Sequence, residues 1–246
     1  MERHFERDLE ELKQRLLWMG SLAEQAVHRS VQALLQGDAL LAQRVVEEEH
    51  TINELQIEID ERALRLLALY QLMAADLRFV LAVSRINADL ERIGDQAVNI
   101  AEAALRILRH PRVKPYVDLP YMSELAAGMV RDSLNAMVHN DIELARAVLT
   151  RDDQVDNLRD QVFRELLFYM MENSAVVLPA FELILVAKNL ERIGDHASNI
   201  AEDVIYMVAG RDVRHHLSAE AGPFRLSLRI RNFPSDTTDK IPLATW

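Results

Sequence analysis

Cysteine is absent from this chain of 246 residues, and glycine and proline are scarce, at seven each. Without cysteine there are no disulfides, thiolate metal sites, iron–sulfur clusters or cysteine nucleophiles. Any metal must sit on oxygen and imidazole ligands. At average usage a chain of this length carries roughly 17 glycines and 12 prolines. Scarcity of both breakers points to an all-α protein. No apolar run reaches the roughly 18 residues that span a bilayer. The longest, Val176 to Ala187, is interrupted by Pro179 and Glu182. The opening residues, Met1 to Asp8, contain no apolar signal core, so a cytoplasmic protein without membrane insertion is expected. Basic charge is in deficit too: 28 Lys and Arg against 39 Asp and Glu leave −11, which argues against binding to nucleic acid or anionic lipid.

What is present is helical periodicity. Phe5, Leu9, Leu12, Leu16, Met19 and Ala23 form one apolar stripe, and Val45, Ile52, Leu55, Ile59, Leu66 and Leu69 form another. Gly37-Asp38, residues 72–74, Asn140-Asp141 and Asn173-Ser174 read as breaks between helices, with Asp38 an N-cap and Gly210 a C-terminal cap. Pro111, Pro115 and Pro120 mark a linker. The expected organisation is a three-helix bundle over 1–110, a linker over 111–120, a second bundle over 121–210 and an extension over 211–246. In the extension, Phe224, Leu226, Leu228 and Ile230 alternate with polar residues, a strand pattern without a partner strand in the chain, so disorder or loose docking is expected ahead of pairing with its copy in a dimer. His215-His216 also lies there and reads as exposed rather than ligating.

The halves repeat in sequence. Residues 90–102 (LERIGDQAVNIAE) match residues 190–202 (LERIGDHASNIAE) at eleven of thirteen positions. That identity reads as duplication. At about 100° per residue, Glu91, Asp95, Asn99 and Glu102 share one helix face, opposite Leu90, Ile93, Ala97, Ile100 and Ala101. Glu191, Asp195, Asn199 and Glu202 reproduce the polar column. Carboxylates four apart on a helix repel by a few tenths of a kcal/mol. Either a hard cation or the neighbouring Arg92 and Arg192 must compensate. Duplication favours the cation. Gly94 and Gly194 point the same way: glycine inside a helix costs about 1 kcal/mol, which suggests close approach of another backbone or a ligand.

Other constellations are weaker. Glu47-Glu48-Glu49-His50 holds one Glu-x-x-His, but the second half offers Arg151-Asp152-Asp153-Gln154, which argues against a di-iron oxidase. His196, which replaces Gln96, is either a ligand in one half or a surface residue. Met73, Met170 and Met171 read as core filler.

The doubled Leu-Glu-Arg-Ile-Gly-Asp…Asn-Ile-Ala-Glu segments, Arg3-His4-Phe5…Met19-Gly20 and Ala75-Asp76-Leu77-Arg78 resemble the PhoU family of bacterial phosphate-signalling regulators over about residues 3–210. The resemblance implies two three-helix bundles related by a pseudo-twofold axis. It implies multinuclear metal sites of iron, zinc, manganese or magnesium on Glu91 and Asp95 and on Glu191 and Asp195. Asn99, Glu102, Asn199 and Glu202 would complete or support them. It implies a non-enzymatic homodimer that links the ATPase subunit of a phosphate ABC transporter to a membrane sensor histidine kinase and represses the phosphate regulon when phosphate is plentiful. Two alternatives remain: an accessory to a low-affinity phosphate permease, and a metal-dependent phosphohydrolase. Pro179-Ala180-Phe181-Glu182 departs from Asp76-Leu77-Arg78, so the two sites need not be equivalent.

Overall fold

The computed structural model describes residues 2–210. The strand expected around Phe224–Ile230, the extension and His215-His216 lie outside the described residues. Six α-helices account for nearly all of the rest: α1 (Glu2–Gln36), α2 (Ala39–Leu69), α3 (Ala74–Ile107), α4 (Asp118–His139), α5 (Ile142–Glu172) and α6 (Val177–Ala209). A single 3₁₀ turn, Ser174–Val176, precedes α6. There is no strand among the described residues, and none of their helices is long and apolar enough to cross a membrane.

The helix ends follow local chemistry. Asp38 caps α2 by accepting from the Leu41 amide at 3.0 Å, and Asp141 caps α5 by accepting from Leu144 at 3.0 Å. Each such cap is worth about 1 kcal/mol. Gly37 (φ 71°) and Asn140 (φ 52°) make the two preceding turns in the left-handed region, where glycine and asparagine are least strained. Gly210 (φ 66°) closes α6 in the same way. The α4 helix starts at Asp118, inside the stretch read as linker, because Pro120 in a first turn has no intrahelical amide bond to lose.

The first three helices pack against one another, as do the last three. Then α3 against α6 and α1 against α4 join the two groups into one core. The α3 and α6 helices run antiparallel: Arg78 donates to the Met207 carbonyl, Arg85 pairs with Asp203, and Arg106 pairs with Glu182. The repeat extends beyond the identical segment. Ser30 and Ser133, 103 residues apart, are both fully buried and donate to the carbonyls of Val27 and Val130, which are also 103 apart. Leu12, Leu16, Met19 and Ala23 are buried, as are Val45, Ile52, Leu55, Ile59 and Leu66, and Phe5 and Leu9 pack against them. Burying each large aliphatic side chain contributes about 1.5–3 kcal/mol.

Two expectations fail here. Met73 and Met171 are 74% and 79% exposed, because both sit at hairpin tips beyond the core, and only Met170 packs on it. Leu69 is likewise exposed at the end of α2.

Candidate metal and anion site

The identical segments lie in the middles of α3 and α6, where these helices cross. Leu90, Ile93, Ala97, Ile100 and Ala101 are fully buried, as are Leu190, Ile193, Ala197, Ile200 and Ala201. The opposite faces carry Glu91 and Asp95, and Glu191 and Asp195, towards the neighbouring helix of the same bundle. The two glycines face side chains of those neighbouring helices. A Cβ at Gly94 would stand 3.1 Å from Ile52 Cδ1 of α2, and one at Gly194 would stand 3.6 Å from Val155 of α5.

Each motif meets a second polar pair that the sequence reading missed. In the first bundle this is Glu49 and Asn53 of α2, joined by a bond from Asn53 Nδ2 to Glu49 Oε1 at 2.5 Å. Burial, Asp95 and Glu49 raise the Glu91 carboxyl, against the pull of Arg92. Burial raises Asp95 as well, and Glu49 adds to it. In the second bundle the partners are Asp152 and Asp156 of α5. Burial pushes the Asp195 carboxyl up to about 6, with Glu191, Asp152 and Asp156 adding repulsion. Burial also raises Asp152, although Ser198 donates to it at 3.1 Å. The missed signal was legible: Glu49 and Asp152, like Asn53 and Asp156, are 103 residues apart, the same offset as the caps Asp38 and Asp141.

The remaining stripe residues diverge. Asn99 and Glu102 lie on the exposed continuation of the face, and Glu102 approaches Arg106 at 3.6 Å. Asn199 donates to Asp89 of α3 at 3.3 Å. His196 also meets Asp89, at 2.8 Å, so it ties α6 to α3. Asn199 and Glu202 line an open hollow of about 560 Å³ together with Asp195 and Asp152. Arg92, Gln96, Arg192 and His196 line it too.

The donor set suits a hard cation in kind: carboxylates raised by burial and then by one another, an amide oxygen, and no sulfur. The Asn53 side-chain oxygen is buried with no hydrogen-bond partner, beside Glu49, which is where an oxygen ligand would be left over. As placed, no three His, Asp or Glu side chains among the described residues converge as a ligand set. Arginines approach three of the four motif acids instead: Arg92 is 3.5 Å from Glu91 and 3.6 Å from Asp95, and Arg159 pairs with Glu191.

Comparison with known proteins agrees with this architecture. The family model described as the PhoU domain matches residues 16–104 and again 119–204. The chain is 39% identical to a phosphate-specific transport system accessory protein PhoU homolog of Pseudomonas putida, over 96% of this chain and 94% of that one. It is 40% identical to the Aquifex aeolicus homolog, over 88% of this chain and 98% of that one. The crystal structure of PhoU from Pseudomonas aeruginosa superposes with a TM-score of 0.80 at 40% identity, covering 84% of this chain and 100% of that one. The Streptococcus pneumoniae phosphate transport system regulatory protein PhoU gives 0.78 at 29% identity, over 85% and 99%. A duplicated helical domain, matched twice and across most of its length, places this chain in the PhoU family, whose members are accessory proteins rather than enzymes.

Proposed function

We propose that this chain is a metal-binding accessory protein of phosphate transport that restrains uptake and the phosphate regulon when phosphate is plentiful. Its partners in this reading are the ATPase subunit of a phosphate ABC transporter and a membrane sensor histidine kinase, and it works in the cytoplasm as a homodimer. The observation that carries the reading is the double occurrence of one arrangement. In each bundle, a motif from α3 or α6 faces a polar pair from α2 or α5, in a chain of the PhoU family.

Glu49, Asn53, Glu91 and Asp95 would hold cations in the first bundle, and Asp152, Asp156, Glu191 and Asp195 in the second. Asn99 and Glu102, and Asn199 and Glu202, would support them. A bound cation would supply positive charge that offsets the carboxylate repulsion and fixes α2 to α3 and α5 to α6. Carboxylate and amide oxygens accept iron, zinc, manganese and magnesium alike.

Two measurements test this. Deleting the gene and assaying a phosphate-regulated phosphatase in phosphate-rich medium is expected to show derepression, and unchanged repression overturns the regulatory reading. Elemental analysis of protein purified without chelator is expected to show metal that falls in Glu91→Ala and Glu191→Ala variants. A metal-free wild type overturns the metal reading alone.

A further inference from the structure

The hollow at the crossing of α3 and α6 holds positive charge that the cation reading does not use. Arg92 and Arg192 are equivalent residues of the two repeats, 100 apart, yet both line this one hollow. Arg192 makes no hydrogen bond or ion pair among the described residues. Arg92 makes only long contacts, at 3.5 and 3.6 Å, to acids of its own helix. In the same wall Gln96 is only 6% exposed, and its side-chain oxygen is buried without a partner. An orphaned buried acceptor costs about 1–3 kcal/mol, which a ligand donating a proton would recover.

We propose that this hollow binds a tetrahedral oxyanion of the phosphate class, held by the guanidiniums of Arg92 and Arg192 and donating its remaining proton to Gln96 Oε1. Guanidinium is the side chain best matched to paired phosphate oxygens. The acceptor adds selectivity. Phosphate keeps a proton at neutral pH and satisfies Gln96, whereas sulfate keeps none and leaves it unpaired.

Charge decides the order of binding. Asp152 and Asp195 line the hollow with the two arginines, so without a cation their carboxylates compete with an anion for the guanidiniums. The inference therefore rests on the cation reading above: metal on the α5 and α6 carboxylates leaves the arginines to take the anion. A hollow of about 560 Å³ admits free orthophosphate or the phosphoryl end of a nucleotide, and both present the same oxygens.

Equilibrium dialysis of radiolabelled orthophosphate against the full chain loaded with Mn²⁺ tests this, with metal content measured on the same samples. Saturable binding is expected, weakened about tenfold or more in Arg92→Gln and in Arg192→Gln at unchanged metal content. Sulfate is expected to compete poorly with wild type and better with Gln96→Leu. Stronger competition by ATP than by unlabelled orthophosphate supports the proposal with a nucleotide as the source; the reverse supports it with free phosphate. Metal-loaded wild type that binds no phosphate overturns the proposal and leaves the cation reading intact. Wild type that takes up no metal overturns both. Phosphate binding indifferent to both arginine variants, or sulfate competing with wild type as well as phosphate does, also overturns the proposal.

Discussion

Asp195 is the residue on which repulsion is concentrated. Its carboxyl titrates near 6 rather than near the usual 3.9, because burial and three neighbouring acids disfavour its charge. A carboxyl raised on folding binds its proton more tightly in the folded state. The favourable contribution is therefore complete below pH about 4 and is lost as the pH rises through about 6. Glu91, Asp95 and Asp152 are raised in the same direction. In chelator, Asp195→Asn is thus expected to raise the melting temperature at pH 7 and to leave it unchanged near pH 4; a variant that melts lower at pH 7 contradicts this. The glycines beside these acids separate by geometry. At Gly194 an added methyl group meets Val155 at ordinary contact distance, so Gly194→Ala is expected to stabilise by about 0.5–1 kcal/mol through helix propensity. At Gly94 the same methyl presses on Ile52 at 3.1 Å, and most of that gain is lost. Urea denaturation of the two variants measures the difference. The sequence showed two helix glycines beside acids and left open whether another backbone or a ligand approaches them; what comes close is a side chain of the neighbouring helix, Ile52 or Val155, a tertiary fact that depends on how α2 crosses α3 and α5 crosses α6.

At the scale of elements, the two repeats share positions but not always charges. Arg29 of α1 pairs with Glu48 of α2 at 2.5 Å, while the equivalent pair in the second bundle is Asp132 of α4 with Arg151 of α5 at 2.6 Å. The signs are exchanged. Pairing α1 wrongly with α5 would set Arg29 against Arg151, and pairing α4 with α2 would set Asp132 against Glu48. Duplicated bundles invite such cross-assembly, and inverted charges oppose it. Exchanging the signs again with Glu48→Arg and Arg151→Glu sets like charges against each other in both bundles and is expected to cost about 1–3 kcal/mol in equilibrium stability, most of it at the half-buried Asp132–Arg151 pair. It should lower the refolding yield from urea considerably more than either Glu48→Gln or Arg151→Gln does. Equal yields for all variants would show that charge does not guide assembly. Element positions were largely readable because their signals are local: the Asp38 and Asp141 caps, the Gly37 and Asn140 turns, and stripes at helical spacing. The Glu49–Asn53 and Asp152–Asp156 pairs escaped because only their spacing is kept while their identities change. A search by identity found α3 and α6 alone. The start of α4 at Asp118 escaped because proline in a first turn and proline in a linker look alike in sequence.

At the scale of the whole molecule, antiparallel α3 and α6 send the two hairpin tips to opposite ends, and both tips are apolar. The α2–α3 end exposes Leu69, Met73 and Leu77, and the α5–α6 end exposes Phe168, Met171, Leu178 and Phe181. Methionines and leucines at such ends were unreadable as surface, because hydropathy reports the cost of exposure and not whether a neighbour covers the residue. Clustered exposed side chains of this size mark surfaces used in association. The α5–α6 end is the richer in aromatic rings, the residue type that dominates binding energy at interfaces. The ATPase partner proposed above is therefore tested first at this end. Phe168 and Phe181 are 58% and 52% exposed, so replacing them removes little core packing. The double variant Phe168→Ser, Phe181→Ser is therefore expected to keep its helical circular dichroism and to melt within a few degrees of wild type, while binding to the purified ATPase subunit weakens about tenfold or more. Met73→Ser with Leu77→Ser, at the other end, serves as the matched control and should leave that binding nearly intact. Equal loss from both variants would mean that both ends engage, and no loss from either would move the partner surface onto the helix flanks.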